Sequence, residues 1–299
     1  MKHLKNKLLV VVGPTTSHKT ALSVKLANLF NGELINADAF QIYRDLDIGV
    51  NAPTLNEKKQ ATFHLNQFLE LTDKWDIKKF KDLATLKIKE ITKNNKLPIL
   101  VGGSNLYVDA IIKNYQLSAS SRVDKYDHLT NEELLKESNK FNPTVASKLV
   151  NNRKRLLRAV QIFHETNDPN ALSHTNEVQY DYLMIECNYS TRDELYQSIN
   201  NKVDEMFNFG WINEVKLLMK KYPHLDFATN NALKAIGYYD IYQSIRCNSV
   251  LDIELIKRKI RHFAKRQITW INNKYPEHIR YLQNNEDEII NAVKQWLNK

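Results

Sequence analysis

The fold is decided by residues 8–20, which carry the sequence LLVVVGPTTSHKT. Residues 8–12 are an unbroken run of leucine and valine, which is typical of a central strand buried on both faces. The turn signal Gly13-Pro14 follows, and Leu22, Leu26 and Leu29 then repeat at helical spacing. A buried strand, a tight loop and an amphipathic helix in this order predict the start of an α/β domain with a parallel sheet.

The loop between this strand and helix is similar to the phosphate-binding pattern G-x-x-x-x-G-K-[ST]. Gly13, Lys19 and Thr20 match it, whereas His18 stands at the second glycine. In such loops backbone N–H groups surround phosphates at a helix N-terminus, the lysine reaches the terminal phosphates, and the hydroxyl ligates Mg²⁺. We therefore expect Mg²⁺ as cofactor, Thr20 as its ligand, and a phosphate site formed by Gly13, Pro14, Thr15, Thr16, Ser17, His18, Lys19 and Thr20.

Further strands and helices alternate along the chain. Strands are predicted at Glu33–Ala37, Pro98–Val101 and Tyr180–Ile185, and a helix at Lys78–Lys93. The C-terminal part is predicted to be wholly helical, over Thr191–Phe209, Ile212–Tyr222, Asn231–Ser244, Ile253–Ile271 and Glu286–Leu297. The predicted fold is a P-loop NTPase-like parallel sheet core, residues 1–116 and 179–299, with a helical insertion at 117–178 and a helical C-terminal part.

Polar residues follow two of the predicted strands. Asp38 ends the second strand, at the edge where open α/β sheets bind ligands. Its carboxylate could serve as a general base or hold metal-bound water, or it could cap a following helix. Gly102-Gly103-Ser104 ends the third strand and either permits close approach to a ligand or forms a simple tight turn.

The charge favours an anionic partner. The net charge is +9, and nucleic acid is the leading candidate for so basic a chain. Two predicted helices concentrate these cations, and each could bind RNA phosphates or present a solvated surface. One carries Arg153, Lys154, Arg155 and Arg158, and the other carries Lys257, Arg258, Lys259, Arg261, His262, Lys265 and Arg266.

Several classes of protein are disfavoured. Only Cys187 and Cys247 occur, without a CxxC pair, which argues against a disulfide framework or a cysteine-rich zinc site and fits a reducing cytoplasm. No stretch approaches the roughly 20 apolar residues of a membrane helix. We expect a cytoplasmic protein without a membrane partner, and a monomer.

Taken together and in order, these segments resemble the tRNA dimethylallyltransferase family of the bacterial type. Residues 13–20 are similar to the family's GPTASGKT, residues 36–43 to GDSMQIY, and residues 100–107 to VGGTGLY. Further matches are Asp47-Ile48-Gly49, Phe63-His64-Leu65, Arg153 to Ala159, Met206 with Gly210 and Glu214-Val215, residues 235–238, and residues 264–270. The resemblance extends along nearly the whole chain.

The resemblance implies a reaction. A dimethylallyl group would pass from dimethylallyl diphosphate to N6 of the adenosine 3′ to the anticodon of tRNA. Asp38 would be the base, Lys19 and Lys202 would bind diphosphate with the loop, and Ser104 would stand for the family's cleft threonine. The implied tRNA-binding residues are Asp38, Ala39, Phe40, Gln41, Ser104, Lys154, Arg155, Leu156, Leu157, Arg158, Lys234, Gly237, Tyr238, Lys265, Arg266, Gln267 and Trp270.

Some positions depart from the family pattern. His18 and Asn105 replace glycines, Ala52 replaces a lysine, Lys202 an arginine, and Asn272 a basic residue, and the insertion is shortened. Because several of these changes fall at the donor site, a weakened or inactive tRNA-binding relative is one alternative. A P-loop kinase acting on a small molecule, which would bind ATP at the same loop, is another.

Overall fold

The computed structural model describes residues 6–115, 117, 124–168 and 178–299. They group into two compact units, one of residues 1–108 with 180–299 and a smaller one of Asp109–Gln179. The smaller unit therefore begins before the predicted boundary at 117, because the end of the helix that follows the third predicted strand belongs to it.

The larger unit contains one parallel sheet of six strands. They are β1 (Lys7–Val12), β2 (Gly32–Asn36), β3 (Phe63–His64), β4 (Leu97–Val101), β5 (Asp181–Cys187) and β6 (Ile279–Tyr281). Their order across the sheet is β3-β2-β4-β1-β5-β6, and every pairing is parallel. The chain leaves β1 toward β2 on one side and returns on the other side as β5, so a crevice forms at the carboxyl end of β1.

Helices cover this sheet and extend beyond it. In the first half of the larger unit lie α1 (Lys19–Leu29), α2 (Leu55–Gln60), α3 (Ile77–Lys93) and the start of α4 (Asn105–Ile112). In its second half lie α8 (Arg192–Asn208), α9 (Trp211–Lys221), α10 (Tyr238–Cys247), α11 (Ile253–Lys274) and α12 (Glu286–Leu297). None of the helices in the described ranges combines the length and apolar character needed to cross a membrane.

The core begins at β1, whose six residues are all buried. Leu9 and Val11 pack against α1 and α12 through a cluster that includes Leu26 and Val293. Leu8, Val10 and Val12 alternate with them and are equally buried, as expected of a strand covered on both faces. A second cluster joins α8, α9, α10 and the segment after β2 around the fully buried Trp211.

All the regular secondary structure in the described residues of the smaller unit is helical. It contains α5 (Asn131–Phe141), α6 (Pro143–Leu149) and α7 (Arg153–Thr166), with a short 3-10 helix at Asp124–Tyr126. Threonine and asparagine caps start these helices, since Thr130 and Asn142 accept hydrogen bonds from backbone N–H groups three residues on. Leu134, Leu156 and Val160 form the core of this unit.

Two predicted features of the C-terminal part were wrong. It is not wholly helical, because β6 adds a parallel edge strand, and three residues are too few to show a sequence periodicity. The helix predicted at Asn231–Ser244 starts only at Tyr238, because Gly237 has φ +98° and only a 3-10 turn, Ala232–Lys234, precedes it. The strand β3, in the N-terminal half, was also missed, because two residues are too few to show a sequence periodicity.

Candidate active site

The phosphate loop connects β1 to α1 and turns sharply. His18 precedes α1 with φ 60° and ψ 24°, in the left-handed region, and its side chain is exposed and caps nothing. Thr16 is also left-handed, with φ 66°. The position at which the family has glycine therefore keeps the backbone conformation that glycine adopts without strain, although a histidine now occupies it.

Two side chains of this loop donate hydrogen bonds to the loop's own backbone. Lys19 Nζ donates to the Pro14 carbonyl at 2.6 Å, and Ser17 Oγ donates to the same oxygen at 2.8 Å. Thr16 Oγ1 is buried and has no hydrogen-bond partner. Buried hydroxyls are nearly always paired, so Thr16 Oγ1 marks a place where a phosphate oxygen would complete the site.

Tyr189, which the sequence analysis missed, holds the loop from the other side. Its hydroxyl donates to the Thr16 carbonyl at 2.7 Å and lies 2.7 Å from Ser198 Oγ on α8. Its ring also lies 6.3 Å from the His18 ring. The residue follows β5, so its position relative to the loop depends on strand order, which no local pattern around Tyr189 indicates.

Asp38 lies in a tightly bonded turn after β2. Its Oδ1 accepts from the Phe40 N–H at 2.9 Å, and its own N–H donates to Asn36 Oδ1 at 3.0 Å. Asn36 is in turn anchored to the Leu65 carbonyl at 2.9 Å. These bonds fix the direction of the carboxylate, which faces the same cavity as the phosphate loop.

Burial shifts the pKa values of Asp38 and Lys19. Loss of water raises the pKa of Asp38, opposed by its hydrogen bond from Phe40 and by the Lys19 ammonium. Burial also lowers the pKa of Lys19, opposed by the negative charge of Asp38. The Cys187 thiol is buried beside them, and burial raises its pKa to about 12, so it remains neutral. A carboxylate with a raised pKa next to an anion site is suited to accept a proton.

Ser104 and the glycine turn adjoin the Asp38 turn. Ser104 Oγ accepts from the Ala39 N–H at 2.9 Å, and its N–H donates to the Ala37 carbonyl at 3.1 Å. The Ser104 hydroxyl therefore supports the backbone that carries Asp38. Gly103 is held by Gln267 on α11, whose Nε2 donates to its carbonyl at 2.9 Å.

One cavity of about 1290 Å³ in the larger unit connects these parts. The predicted site residues on its wall are Thr15, Thr16, Ser17, His18, Lys19, Thr20, Asp38, Phe40, Gln41, Lys202, Lys234, Arg266 and Gln267. Ala52 lies on the wall as well, and Lys202 Nζ lies 3.3 Å from Glu205. Among the described residues, no group of three or more His, Cys, Asp or Glu side chains is placed to hold a metal ion.

The cations of α11 divide into two sets. In the first set, Lys257 pairs with Asp204 at 2.8 Å and Lys259 pairs with Asp240 at 2.5 Å. Arg261 donates to Asn200 Oδ1 at 2.6 Å. Arg258, His262, Lys265 and Arg266 are exposed and share one face of the helix. The apolar spacing of Ile256, Ile260, Phe263 and Gln267 predicts that all seven basic residues project outward from α11. This prediction was wrong for Lys257, Lys259 and Arg261, which bind residues of α8 and α10.

Other residues implied as tRNA contacts have different settings. Lys154 and Arg155 are exposed on α7, and Arg158 is half-buried. Leu156 and Leu157 point into the core of the smaller unit, and Tyr238 and Gln267 are also buried, so the structure gives these four side chains packing or bracing roles. Trp270 is half-buried, with its ring 5.1 Å from that of Tyr275.

Comparison with known proteins identifies the family. The IPP transferase family model matches residues 41–274. The chain belongs to the IPP transferase family. The tRNA dimethylallyltransferase of Malacoplasma penetrans is 37% identical over 99% of both chains, and that of Lactococcus lactis is 34% identical over 98% of this chain and 99% of its own.

Solved structures of IPP transferases share the fold. The full-length tRNA isopentenylpyrophosphate transferase of Bacillus halodurans superposes with a TM-score of 0.74 at 32% identity, covering 98% of this chain and 97% of the other. A eukaryotic dimethylallyltransferase acting on tRNA gives a TM-score of 0.82 at 25% identity, over 96% of this chain and 78% of its own. The predicted α/β fold with a P-loop-like sheet is confirmed.

Glu214, which does not itself lie on the cavity wall, holds the loop of residues 47–49. Its carboxylate accepts from the Ile48 N–H at 2.7 Å, the Asp47 N–H at 3.2 Å and the Tyr238 hydroxyl at 2.5 Å. The loop so held leads to Val50, whose carbonyl accepts from Gln41 Nε2 at 3.1 Å. Sequence comparison marks Glu214 only as part of a motif, and the folded loop shows what it binds.

We expect His18→Gly to stabilise the phosphate loop by about 1 kcal/mol, because glycine removes the cost of a left-handed non-glycine residue. Urea unfolding measures the change in stability. His18→Ala is the matched control, since it removes the ring but keeps the strained Cβ. Equal stability of the two variants would show that the backbone conformation carries no cost.

We expect Gly237→Ala to destabilise the larger unit by about 3 kcal/mol, because a Cβ there would overpack the core and the residue is left-handed. That Cβ would lie 2.2 Å from the Trp211 ring. Gly210→Ala is the matched control, since Gly210 has φ +96° but its nearest contact would be 3.7 Å away. Equal urea midpoints for the two variants would contradict the predicted clash.

Proposed function

We propose that this protein transfers a dimethylallyl group from dimethylallyl diphosphate to N6 of the adenosine that follows the anticodon in tRNA. The observation that carries the proposal is a cavity in which the phosphate loop and a half-buried carboxylate, Asp38, lie on the same wall. Full-length similarity to tRNA dimethylallyltransferases supports it, as does the fold shared with a eukaryotic enzyme acting on tRNA.

The donor diphosphate would bind at the phosphate loop. The backbone at the start of α1 offers N–H groups, Thr16 Oγ1 offers an unpaired hydroxyl, and Lys19 offers a half-buried ammonium. Lys202 lies on the same wall, where it would move from Glu205 to the diphosphate. These hydrogen-bond donors and ammonium groups would stabilise the negative charge that develops on the diphosphate as the allylic carbon–oxygen bond breaks.

Magnesium fits the oxygen donors here. The Thr20 hydroxyl lies in the first turn of α1 on the cavity wall, and Mg²⁺ prefers oxygen ligands and commonly completes its shell with phosphate oxygens and water. When bound, the ion would neutralise part of the diphosphate charge. Thr20 is the residue that would hold it.

The acceptor amine would approach Asp38 from the other side of the cavity. The adenine must leave its stack to reach this depth. As the new bond forms between N6 and the allylic carbon, the proton on N6 passes to the Asp38 carboxylate and diphosphate departs. The raised pKa of Asp38 suits it to take that proton. The Phe40 N–H, which donates to the carboxylate, and the Asp38 N–H, which donates to Asn36 Oδ1, hold the residue in place.

The tRNA would be bound by exposed cations. Arg258, His262, Lys265 and Arg266 form one stripe on α11, and Lys154 and Arg155 are exposed on α7. Such side chains neutralise backbone phosphates and give salt-dependent binding. The buried Leu156 and Leu157 would support the position of Lys154 and Arg155 on α7 through packing.

Incubation with labelled dimethylallyl diphosphate, Mg²⁺ and tRNA carrying the unmodified adenosine tests the proposal. We expect label on that base, located by nuclease digestion, and a relative such as the Lactococcus lactis enzyme serves as positive control. Tight tRNA binding without saturable donor binding by calorimetry would instead indicate a non-catalytic relative. Phosphoryl transfer from ATP in place of prenyl transfer would support the kinase alternative.

A further inference from the structure

Neighbouring residues of helix α11 differ sharply in their exposure at the cavity. Lys265 and Arg266 are exposed, whereas the next residue, Gln267, is only 2% exposed. A buried glutamine amide must satisfy both its donor and its acceptor atoms within the protein. The partners of Gln267 therefore show what this part of the helix does.

Gln267 joins two loops that are distant in sequence. Its Oε1 accepts from the Thr15 N–H at 3.1 Å, and its Nε2 donates to the Gly103 carbonyl at 2.9 Å. A Cβ on Gly103 would lie 2.3 Å from that Nε2, so the side chain occupies the space that glycine leaves. One amide thus bridges the phosphate loop and the glycine turn after β4.

The glycine turn extends this bridge to Asp38. Ser104 directly follows Gly103, and its hydroxyl accepts from the Ala39 N–H at 2.9 Å. Ala39 is in turn the neighbour of Asp38. Gln267 therefore stands between the loop that would hold the donor and the turn that carries the base, and both depend on the position of α11.

We propose that Gln267 is a positioning residue that couples tRNA binding at the exposed Lys265 and Arg266 of α11 to donor binding in the phosphate loop. The inference rests on the proposed function, since it takes tRNA and a diphosphate as the two ligands. RNA phosphates that engage Lys265 and Arg266 bias the position of the helix. The Gln267 amide transmits that bias to the Thr15 N–H at the diphosphate site.

Coupling of this kind is reciprocal. If RNA tightens diphosphate binding by some factor, diphosphate must tighten RNA binding by the same factor. A merely structural glutamine would change both affinities together or the stability alone. Only a coupling residue changes the ratio of affinities measured with and without the second ligand.

The test uses the full chain, inorganic diphosphate with Mg²⁺, and an anticodon stem-loop RNA, so that no transfer occurs. Calorimetry measures the Kd of diphosphate with and without saturating RNA, and fluorescence anisotropy measures the Kd of RNA with and without diphosphate. In the unaltered protein we expect each ligand to lower the Kd of the other by at least about 5-fold, the lower end of typical coupling.

The variants separate coupling from folding. Gln267→Leu keeps the volume but makes neither bond, and we expect its coupling factor to fall to about 1. Gln267→Glu retains an acceptor for the Thr15 N–H but loses the donor to Gly103, so reduced coupling is expected there as well. If Gln267→Leu fails to fold, the coupling factor of Gln267→Glu tests the proposal instead. Gln243→Leu, on α10, is the matched control and should keep the full factor.

Two outcomes overturn the inference. One is the absence of coupling in the unaltered protein, and the other is full coupling in both folded Gln267 variants. Neither outcome affects RNA-dependent labelling from dimethylallyl diphosphate, which is measured separately. Loss of labelling with coupling intact would instead contradict the proposed reaction, so the two failures are distinguishable.

Discussion

Replacing Asp38 with asparagine is expected to reduce the single-turnover rate of prenyl transfer by about 10²–10⁴-fold, the usual contribution of a general base. Asparagine preserves the shape and can still accept the hydrogen bond from the Phe40 N–H at the position of Oδ1. It cannot accept the N6 proton, so the step that completes the new bond loses its base. The Kd for tRNA should remain within about 3-fold, because one neutralised side chain changes few phosphate contacts.

Asp287→Asn provides the control for that experiment. Asp287 is exposed in the first turn of α12, so its substitution makes the same chemical change away from the cavity. Its transfer rate should equal that of the unaltered protein. Retention of more than a tenth of the rate by Asp38→Asn would remove Asp38 from the proposed chemistry.

The raised pKa of Asp38 gives this reaction a pH dependence. Burial favours the protonated carboxyl, which cannot accept a proton, so the active form appears only as pH rises through the raised pKa. The rate should therefore increase with pH through a range above that of an ordinary aspartate and then level off. A profile that is flat there, or an unchanged profile in Asp38→Asn, would contradict the assignment.

Replacing Lys19 with methionine should lower the transfer rate by about 10²–10³-fold, comparable to removal of one group that stabilises a developing anion. Methionine fills similar space but leaves no ammonium where the diphosphate charge accumulates. Because that charge is already present on the bound donor, the Kd for dimethylallyl diphosphate should also rise. Single-turnover kinetics with labelled donor, together with calorimetry, measure the two effects.

Lys25→Met is the matched control on the same helix. Lys25 is exposed and pairs with Glu286, outside the cavity. Its removal should leave donor affinity and transfer unchanged. The two catalytic variants also differ from each other, since Asp38→Asn should retain donor binding whereas Lys19→Met should not. If both variants lost donor binding equally, the separation of donor and acceptor roles would not hold.

Residue type and spacing predicted four of the six strands, the loop between β1 and α1, and the family resemblance. A strand as apolar as residues 8–12 can only be buried, and a loop with lysine and threonine before a helix has few other structures. The position of Asp38 after β2 followed from the same reasoning. These features are local, so spacing and residue type are sufficient to predict them.

Tertiary packing sets which basic side chains of α11 remain exposed for binding. Lys257, Lys259 and Arg261 look identical to their exposed neighbours in sequence, and only the packing of α11 against other helices pairs them internally. The same packing buries Gln267 and carries its amide to Thr15 and Gly103, residues far away in sequence. Such contacts depend on strand order and helix orientation, which arise from the whole chain, and this is why the pattern of a single segment does not reveal them.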